Sequence, residues 1–505
     1  MSLLGIDIGT TGCKAVIFDR YGEVLSSEYQ EHPLIHPEEG WVEIDPDLIW
    51  DNIKTLVKKA NLKIKKDKVK AFSISCQGEA IVPVGRDGEA LHNAVVTFDN
   101  RTRNQYEFWK RTLGEKKIFE ITGMPLHPMY SINKIMWIRK NLKDIYKKTY
   151  KFLCFEDYVF SKFGLTPTID YSLAARTMAF NVTSKNWSDK ILKEAKVGID
   201  LLPEVKPSAE IVGEINPAIS DELGLERGVF GVTGGHDQAC GAFGAGITEE
   251  GTAMNATGTS DAITPIFNKI YLTGSMLGNN YPCYPYVIGD KYMTITFNLT
   301  GGLLLRWYRD NFCYEEKVAA EREGKNAYDV ITGSMHPRPV NIFILPHFVG
   351  SGTPYLDSNS KGAVLGLDLE TNKAKIARAI LESNTYDLKL NLEKLEESGI
   401  YVGKIIAIGG GAKSPEWLKI KSDILNKKIV TLKNPEAASL GAALLAGVAI
   451  GEYKSYEDAV ENAVKEDRVF SPDEDSNMQY NKRYMIYKDI YSKNRELLHR
   501  ISELD

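Results

Sequence analysis

Several features that mark other classes of protein are absent from this sequence of 505 residues. Its six cysteines are scattered, with no Cys-x-x-Cys pair and no clustered histidine, so neither a zinc site nor a disulfide framework is predicted. We therefore expect reduced thiols. No basic segment followed by a long apolar one opens the chain, and no apolar run approaches the roughly 18 residues of a membrane span. These absences predict a soluble, cytoplasmic protein without a signal peptide.

A strong charge of either sign is also missing. The chain carries 67 acidic and 62 basic residues, a formal net charge of −5. A balance this close provides no basic field for nucleic acid and no polybasic patch for a membrane surface, so we expect neither as a partner. Hydrophobic residues make up 43% and charged residues 26%, which is ordinary for a globular protein, here of roughly two or three domains.

Short apolar segments alternate with amphipathic helical patterns in both halves of the chain. Residues 3–8 and 13–19 flank a Gly/Thr turn and predict a β-hairpin, and a helical pattern starts behind Asp45. A later strand, 229–233, is predicted to end in Gly234-Gly235. The second half predicts further strands at 252–256 and 404–408, and helices at 373–395, 415–425 and 436–449.

Strands mixed with helices in both halves predict an α/β fold of two domains with a cleft between them. The turn-rich segment 246–251 predicts the boundary, so that residues 1–246 and 247–505 form the two domains. Near the C-terminus, tyrosines recur at helical spacing from residue 480 to 491. This pattern predicts a helix packed on the body of the protein.

The first Gly/Thr turn follows a strand that carries an acidic residue. Asp7 is costly to bury unless it meets a cation or several donors. The glycines of the turn let backbone amides point outward, and Thr10 and Thr11 add hydroxyl donors, which suits phosphate oxygens. Asp7 would then hold Mg²⁺ directly or through water, and Lys14 would reach the transferred phosphate. A plain hairpin turn capped by Asp7 is the alternative, and the turn by itself does not decide between them.

A second acidic residue, Asp237, follows a second apolar strand in the segment Gly234-Gly235-His236-Asp237-Gln238. Asp237 either caps the helix that begins there or acts as a base that accepts the proton of a substrate hydroxyl during phosphoryl transfer. We interpret His236 as structural, because one base and one metal-binding acid suffice for that reaction.

Two further turns repeat the chemistry of the first. Thr257-Gly258-Thr259-Ser260 follows an apolar strand, and Gly409-Gly410-Gly411-Ala412 joins a strand to a helix that starts near Ser414. Three successive glycines let a flat ring or a ribose approach the backbone closely. Three Gly-rich turns combined with two isolated acids behind strands predict an enzyme that handles a nucleotide.

With these motifs in place, the sequence resembles the FGGY family of carbohydrate kinases, which belong to the actin, Hsp70 and hexokinase fold group. Residues 129–141 fit the first signature of that family, and residues 362–382 nearly fit the second, departing at Lys375. The similarity runs from Gly5 to about Gly447. The resemblance implies two ribonuclease-H-like domains, with ATP, Mg²⁺ and a sugar meeting in the cleft between them.

Residue by residue, the resemblance implies Asp237 as the catalytic base and Asp7 as the metal-binding acid. The implied contacts to ATP and its phosphates are Thr10, Thr11, Lys14, Thr257, Gly258, Thr259, Gly301, Gly302, Gly410, Gly411, Ala412 and Ser414. The implied contacts to the substrate are Gln77, Gly78, Glu79, Asp99, Arg101, Asp237 and Gln238.

The substrate-binding segment departs from two well-defined groups in the family. Gln77-Gly78-Glu79 lies where glycerol kinases carry Gln-Arg-Glu and xylulose kinases carry Gln-Met-His, and Thr97 stands where many members have Trp. Glu79 would bind polyol hydroxyls through charge-assisted hydrogen bonds. It would repel a sugar acid such as gluconate unless Arg101 compensates. We therefore favour a neutral pentulose, pentitol or tetritol over a gluconate-type substrate.

Other functions share part of this pattern. An actin- or Hsp70-like ATPase would carry the same phosphate turns, but the Gln77-Gly78-Glu79 segment and the first signature favour a kinase. An iron–sulfur activator ATPase would need closely placed cysteines, which the sequence does not offer. The expected partner is a small sugar or polyol, and the sequence leaves a homodimer open.

Overall fold

Two mixed β-sheets, one in each half of the chain, organise the protein. The computed structural model describes residues 1–64 and 68–504. The strands and helices of the first half are β1 Ser2–Ile8, β2 Gly12–Asp19, β3 Val24–Glu31, β4 Glu43–Ile44, α1 Pro46–Lys63, β5 Val69–Cys76, β6 Val82–Val84, β7 Ala94–Val95, α2 Arg103–Thr112, α3 Gly114–Thr122, α4 Ser131–Asn141, α5 Lys143–Lys148, β8 Lys151–Leu153, α6 Phe155–Lys162, β9 Thr168–Asp170, α7 Tyr171–Ala175, β10 Phe180–Asn181, β11 Asn186–Trp187, α8 Asp189–Ala195, β12 Glu204–Lys206, β13 Ile211–Glu214, α9 Pro217–Leu223, β14 Phe230–His236 and α10 Asp237–Gly244.

The second half repeats the mixture of strands and helices. Its elements are β15 Gly251–Thr257, β16 Asp261–Phe267, α11 Gly274–Gly278, β17 Tyr284–Pro285, β18 Tyr292–Met293, β19 Thr296–Asn298, α12 Gly302–Phe312, α13 Tyr314–Glu323, α14 Ala327–Gly333, β20 Phe343–Leu345, β21 Ala363–Leu365, α15 Lys373–Glu397, β22 Val402–Gly409, α16 Pro415–Leu425, β23 Lys428–Leu432, α17 Ala437–Ala449, α18 Tyr456–Ala463, β24 Glu466–Phe470 and α19 Glu474–Ser502. Short 3₁₀ helices span Ile199–Leu201 and Gly410–Lys413.

The two large sheets share one strand order. In the first, β3, β2 and β1 are antiparallel neighbours, and β5 and β14 follow β1 in parallel. In the second, β19, β16 and β15 are antiparallel, and β22 and β23 follow β15 in parallel. A meander followed by parallel strands with intervening helices therefore occurs twice, which is the arrangement of a ribonuclease-H-like domain.

Helix α17 of the second half packs against strands β1, β5 and β14 of the first sheet and against α10. Small residues permit this contact, since a Cβ atom at Gly5 would lie 1.9 Å from the carbonyl oxygen of Ser439, and one at Gly441 would lie 1.9 Å from that of Cys240. Leu440 and Leu444 of α17 accordingly belong to the first hydrophobic core. The two halves thus share a face, and the division at residues 246 and 247 remains a prediction.

The predicted elements are found, with one difference. Strand β14 does not stop at Gly234 but continues through Gly235 to His236. The glycines stay in the strand because the backbone passes very close to its neighbour there: a Cβ atom at Gly234 would lie 1.9 Å from the oxygen of Ile74. The C-terminal tyrosines Tyr480, Tyr484, Tyr487 and Tyr491 are buried in the second core, as the helical spacing predicted.

Two expectations drawn from absences can be compared with the structure. The six cysteines are free and buried. Across residues 1–64 and 68–504, none of the helices combines the length and the apolar composition needed to cross a bilayer.

Candidate active site

Three parallel strands of the first sheet, β1, β5 and β14, end at the same edge. Each has a polar residue at or just after that end. Asp7 of β1 lies opposite Ser75 of β5, and Ser75 lies opposite Gly235 of β14. Asp237 follows β14 directly as the first residue of α10. The strand register therefore brings together Asp7 and Asp237, which are 230 positions apart in the sequence. This edge of the sheet is the candidate active site.

Asp237 lies in an environment that favours a protonated carboxyl group. Burial, followed by the negative charge of Asp7, raises its pKa to about 7, although 33% of the side chain is exposed. Its Oδ1 accepts a 2.6 Å hydrogen bond from the backbone of the next residue, Gln238, and α10 has no side-chain N-cap. Asp237 thus binds one N–H of the first turn of α10, and its role as a base stays a prediction. A carboxylate with a pKa near neutrality suits a general base.

His236 contacts this carboxylate, with its Nε2 3.3 Å from Oδ1 of Asp237. Its Nδ1 lies 3.3 Å from the hydroxyl of Tyr284. Burial and the nearby Arg176 lower the pKa of His236 to about 3, so the imidazole is neutral. A neutral ring held on both sides supports the interpretation of His236 as structural.

Asp7 is the residue that fits a divalent cation best. Its Oδ1 accepts a 2.9 Å hydrogen bond from Ser75, while its Oδ2 has no protein hydrogen bond within the described chain. Burial raises its pKa, and Ser75 and Lys14 oppose that rise. The described residues contain no group of three metal-binding side chains. Mg²⁺ is commonly held by one or two carboxylates together with substrate phosphates and water, so a single accessible carboxylate is compatible with it.

The first turn is anchored through its carbonyl groups. The amide of Gln77 donates to Gly9 O at 3.2 Å, and His32 Nε2 lies 3.0 Å from Thr10 O. The backbone N–H groups of Thr10 and Thr11 donate to no acceptor within the described residues. A fixed turn whose amides remain free matches the predicted phosphate site.

Lys14 is already bound to an acidic residue. Its Nζ lies 2.5 Å from Oε2 of Glu436, the residue immediately before α17, and about a quarter of each side chain is exposed. The sequence offered no reason to pair these residues, since they are 422 positions apart. A phosphate that contacts Lys14 must therefore compete with Glu436.

The second and third turns and the start of α12 lie against one another. Gly301 N donates to Thr259 O and Gly302 N to Gly258 O, both at 2.8 Å. Thr257 lies opposite Gly409 in the ladder between β15 and β22. The nucleotide contacts implied by the resemblance, from residue 257 to Ser414, thus converge on one edge of the second sheet, where Ser414 Oγ caps α16.

A buried ion pair beneath the second turn escaped the sequence analysis. Lys421 Nζ lies 2.8 Å from Asp261 Oδ2 and 2.7 Å from the hydroxyl of Thr257, and both charged side chains are at most 1% exposed. The Thr257 hydroxyl donates to Asp261 Oδ1 at 2.8 Å, so its hydrogen is not free for a phosphate. The signal in the sequence was a lysine on the buried face of α16, where Trp417 and Ile424 are its neighbours.

The segment Gln77-Gly78-Glu79 packs against His236, the residue before Asp237. A Cβ atom at Gly78 would lie 3.0 Å from Cδ2 of His236, which leaves little room for a side chain there. Glu79 has a left-handed backbone conformation with φ of 64°. Such strain in a residue other than glycine persists when the surroundings enforce it, and it is common at binding sites.

Several groups enforce the position of Glu79. Its carboxylate accepts hydrogen bonds from Arg176 and, at 2.9 Å, from Thr97. Its carbonyl oxygen accepts from Ser131 at 3.0 Å and from Lys134 at 2.8 Å, both in the first signature of the family. Burial alone would raise the pKa of Glu79, but Arg176 and the other cations hold it below its usual value. Glu79 is therefore an ionised, fixed acceptor.

Asp99 and Arg101 form a buried ion-pair network with Glu43. Arg101 Nη2 is 2.7 Å from Asp99 and 2.8 Å from Glu43, and its guanidinium stacks on Trp41. Asp99 and Arg101 are almost fully buried, and Nη1 of Arg101 has no hydrogen-bond partner within the described chain, so their contact with the substrate stays a prediction. The cation that is paired with Glu79 is Arg176, a residue that the sequence did not single out. The remaining predicted contact, Gln238 Oε1, lies 3.5 Å from the Thr264 hydroxyl on β16.

Comparison with known proteins tests the family. The N-terminal domain of the FGGY family of carbohydrate kinases matches residues 2–244, and the C-terminal domain of that family matches residues 253–450. The chain belongs to the FGGY family of carbohydrate kinases. Kinases of this family use ATP, which agrees with the three glycine-rich turns. Family membership also sets aside the alternative of an actin- or Hsp70-like ATPase.

FGGY kinases of several substrate classes are similar to the chain over nearly its whole length. Xylulose kinase of Bacillus subtilis is 28% identical, covering 98% of this chain and 97% of that protein. Gluconokinase of the same organism is 29% identical, at 97% and 95% coverage. Glycerol kinase of Saccharolobus islandicus is 32% identical, at 96% and 94%. A solved xylulose kinase from Lactobacillus acidophilus superposes with a TM-score of 0.88, at 26% identity and 98% of both chains. The two-domain fold is thereby confirmed, and the substrate is not decided.

Proposed function

We propose that this FGGY kinase transfers the γ-phosphate of ATP to a hydroxyl of a small neutral sugar or polyol, with a pentulose, pentitol or tetritol as the acceptor. The observation that carries the proposal is the position of Asp237. It lies at the end of a parallel strand, beside the metal-binding candidate Asp7 and against the segment that holds Glu79. The proposed base Asp237 is thus adjacent to the proposed cation ligand Asp7 and to Glu79, which would accept a hydrogen bond from a substrate hydroxyl.

In the proposed reaction, Asp237 accepts the proton of the attacking hydroxyl as its oxygen bonds to the γ-phosphorus. The bond from the γ-phosphorus to the β–γ bridging oxygen breaks, which yields ADP and a sugar phosphate. The free amides of Thr10 and Thr11 would bind phosphate oxygens on the side of the first domain, and the turn at Gly258-Thr259 would do so from the second. Mg²⁺, held by Asp7, would neutralise charge on the phosphates.

The neutral acceptor is supported by the charges around Glu79. The carboxylate is ionised, and the two cations beside it, Arg176 and Lys134, each bind a protein acceptor. A sugar carboxylate at either cation would have to displace one of these bonds, whereas a hydroxyl can donate directly to Glu79. Because a gluconokinase is among the relatives of this chain, a sugar acid is the competing substrate class.

A coupled ADP-release screen of ketopentoses, pentitols, tetritols, glycerol and sugar acids tests the substrate class. We expect kcat/KM for the best neutral substrate to exceed that for gluconate by at least about tenfold, equivalent to roughly 1.4 kcal/mol of transition-state binding. A preference for gluconate would overturn the neutral-acceptor proposal. Hydrolysis of ATP that no sugar stimulates would overturn the kinase reaction itself.

The pH dependence of the reaction should report Asp237. Because its folded pKa is raised to about 7, the ionised base is lost as the pH falls through 7. We expect kcat/KM for the sugar to fall about tenfold per pH unit below that value. Nucleotide binding measured at the same pH values separates this effect from titration of ATP. An acidic limb centred near pH 4, as for an ordinary carboxylate, would contradict the assignment.

A further inference from the structure

Two fully buried acids, Glu156 and Asp170, lie behind the segment from Gly234 to Asp237. Neither the sequence motifs nor the proposed reaction assigns them a role. Glu156, in α6, accepts hydrogen bonds from the backbone of Gly234 at 2.6 Å and of Asp170 at 2.8 Å. The side chains of Glu156 and Asp170 are both 0% exposed. We propose that Glu156 is a positioning residue for Asp237, acting through the backbone of β14, and this inference rests on the proposed role of Asp237 as the base.

The first argument is the irregular register of β14. Val232 lies opposite Ser73, but Gly235 lies opposite Ser75, so two residues of β14 face one of β5. Such a bulge changes the direction of the strand and frees backbone groups from the ladder. The freed N–H of Gly234 is the group that Glu156 binds. Glu156 therefore holds the bulge three residues before Asp237.

The second argument is a parallel connection through α7. Asp170 caps this helix by accepting from the backbone of Ser172 at 2.7 Å, and the Ser172 hydroxyl accepts from the backbone of His236 at 2.9 Å. Because Glu156 also binds the backbone of Asp170, the bulge and the cap of α7 are fixed to one carboxyl group. His236, the residue just before Asp237, is thus connected to Glu156 through Ser172 and Asp170.

The third argument is the cost of this arrangement. Burial and the nearby carboxyl groups of Asp170 and Asp157 raise the pKa of Glu156 well above its usual value, and Glu156 forms no salt bridge within the described residues. A buried acid without a positive partner is expensive, and well-placed backbone donors offset only part of that cost. Features that cost stability in this way are typical of places where a backbone must be held in one position. Asp237 is the functional group that this backbone carries.

Asp157 provides a matched control. It adjoins Glu156 in the sequence and is equally buried, but its carboxylate accepts from the backbone of Cys154 at 3.1 Å, at the start of its own helix. Hydrogen bonds connect it to α6 and not to β14. Glu156→Gln and Asp157→Asn therefore each replace one carboxyl oxygen in the same region with an amide nitrogen, and only in Glu156 do both oxygens accept from the backbone of β14 and the cap of α7.

The experiment measures turnover and structure for both variants with the full-length protein. For Glu156→Gln we expect kcat to fall by about 10- to 100-fold, with KM for ATP changed by less than about twofold, because small displacements of a catalytic group cost this much. Its crystal structure should show the Asp237 carboxyl displaced by about 1 Å. Asp157→Asn should keep kcat within about twofold of wild type even where its melting temperature falls equally. Equal kcat in the two variants would overturn the proposal.

Ser172→Ala keeps the test valid if Glu156→Gln does not fold. It removes the hydroxyl that accepts from His236 without any change of charge, and we expect a fall in kcat of about tenfold with ATP binding unchanged. Wild-type kcat in this variant, with Asp237 unmoved in its crystal structure, would count against positioning from this side. Failure of the proposed function can be distinguished from failure of this inference. In the first case the wild-type protein would lack sugar-dependent turnover. The displacement of Asp237 is measured by crystallography and does not depend on activity.

Discussion

Replacing Asp237 with asparagine should lower kcat by about 10²- to 10⁴-fold while ATP binding is retained, since this is the range that a general base contributes. Asparagine preserves the shape of the side chain but cannot accept the proton of the attacking hydroxyl. The measurement is ADP release with the best acceptor from the substrate screen, together with calorimetric titration of the nucleotide. Because Asp237 is not among the expected phosphate contacts, the dissociation constant for ATP should stay near that of wild type.

The same variant should be more stable than wild type at alkaline pH. The pKa of Asp237 is raised from 3.8 to about 7 on folding, so the folded state binds the proton more tightly and ionisation above pH 7 destabilises it. A neutral amide avoids that cost, and the difference in melting temperature should vanish below about pH 4. Asp189→Asn is a matched control, because Asp189 is also the first residue of a helix, α8, and lies on the surface. A kcat for Asp237→Asn above a tenth of the wild-type value would refute the base assignment.

Replacing Lys421 with methionine should destabilise the second domain by about 3–5 kcal/mol, the usual consequence of leaving one partner of a buried ion pair alone. Methionine fills a similar volume, but Asp261 would remain 0% exposed without its cation. Burial lowers the pKa of Lys421, and Asp261 opposes that change. The affinity for ATP should fall as well, because Lys421 also binds Thr257 at the base of the second turn.

Thermal and denaturant unfolding, followed for the least stable transition, measure this effect. The control is Lys493→Met, which breaks an exposed pair with Asp489 in α19, where the two side chains are 71% and 52% exposed. That variant should lose less than about 1 kcal/mol. Combining Lys421→Met with Asp261→Asn should recover part of the loss, because no unpaired charge is then buried. A loss below about 1 kcal/mol for Lys421→Met alone would contradict the importance of the pair.

Local patterns were sufficient for most of the fold. The hairpin around the first turn, the helix after Asp45 and the strand–turn–helix near Gly410 each depend on neighbouring residues, so period and turn chemistry predict them. The end of β14 was predicted wrongly, because glycine ordinarily breaks a strand. Gly234 remains in this one because the backbone of β5 passes too close for a side chain, and at Gly235 the side chains of Val287 and Ser172 occupy that space. That reason lies outside the segment itself.

Pairings between distant residues could not be predicted in the same way. Arg176 was not identified from the sequence as the partner of Glu79. In the folded chain Arg101 binds Asp99 and Glu43, while α7 brings Arg176 across 97 positions. Lys14 with Glu436 and Lys421 with Asp261 were missed for the same reason. An ion pair depends on the path of the backbone, and a linear motif does not contain that path.

The sequence alone showed the resemblance to FGGY carbohydrate kinases, in residues 129–141 and 362–382, and predicted nucleotide-binding turns, because both patterns consist of particular residues at fixed local spacing. It also identified Asp7 and Asp237 as candidate functional acids, because a carboxylate in or next to an apolar strand is costly to bury without a cation or several donors. Only the tertiary structure decided that the two lie side by side, that burial and the charge of Asp7 raise the pKa of Asp237, and which cations are already paired. These properties arise from burial and distance, which exist only once the chain has folded.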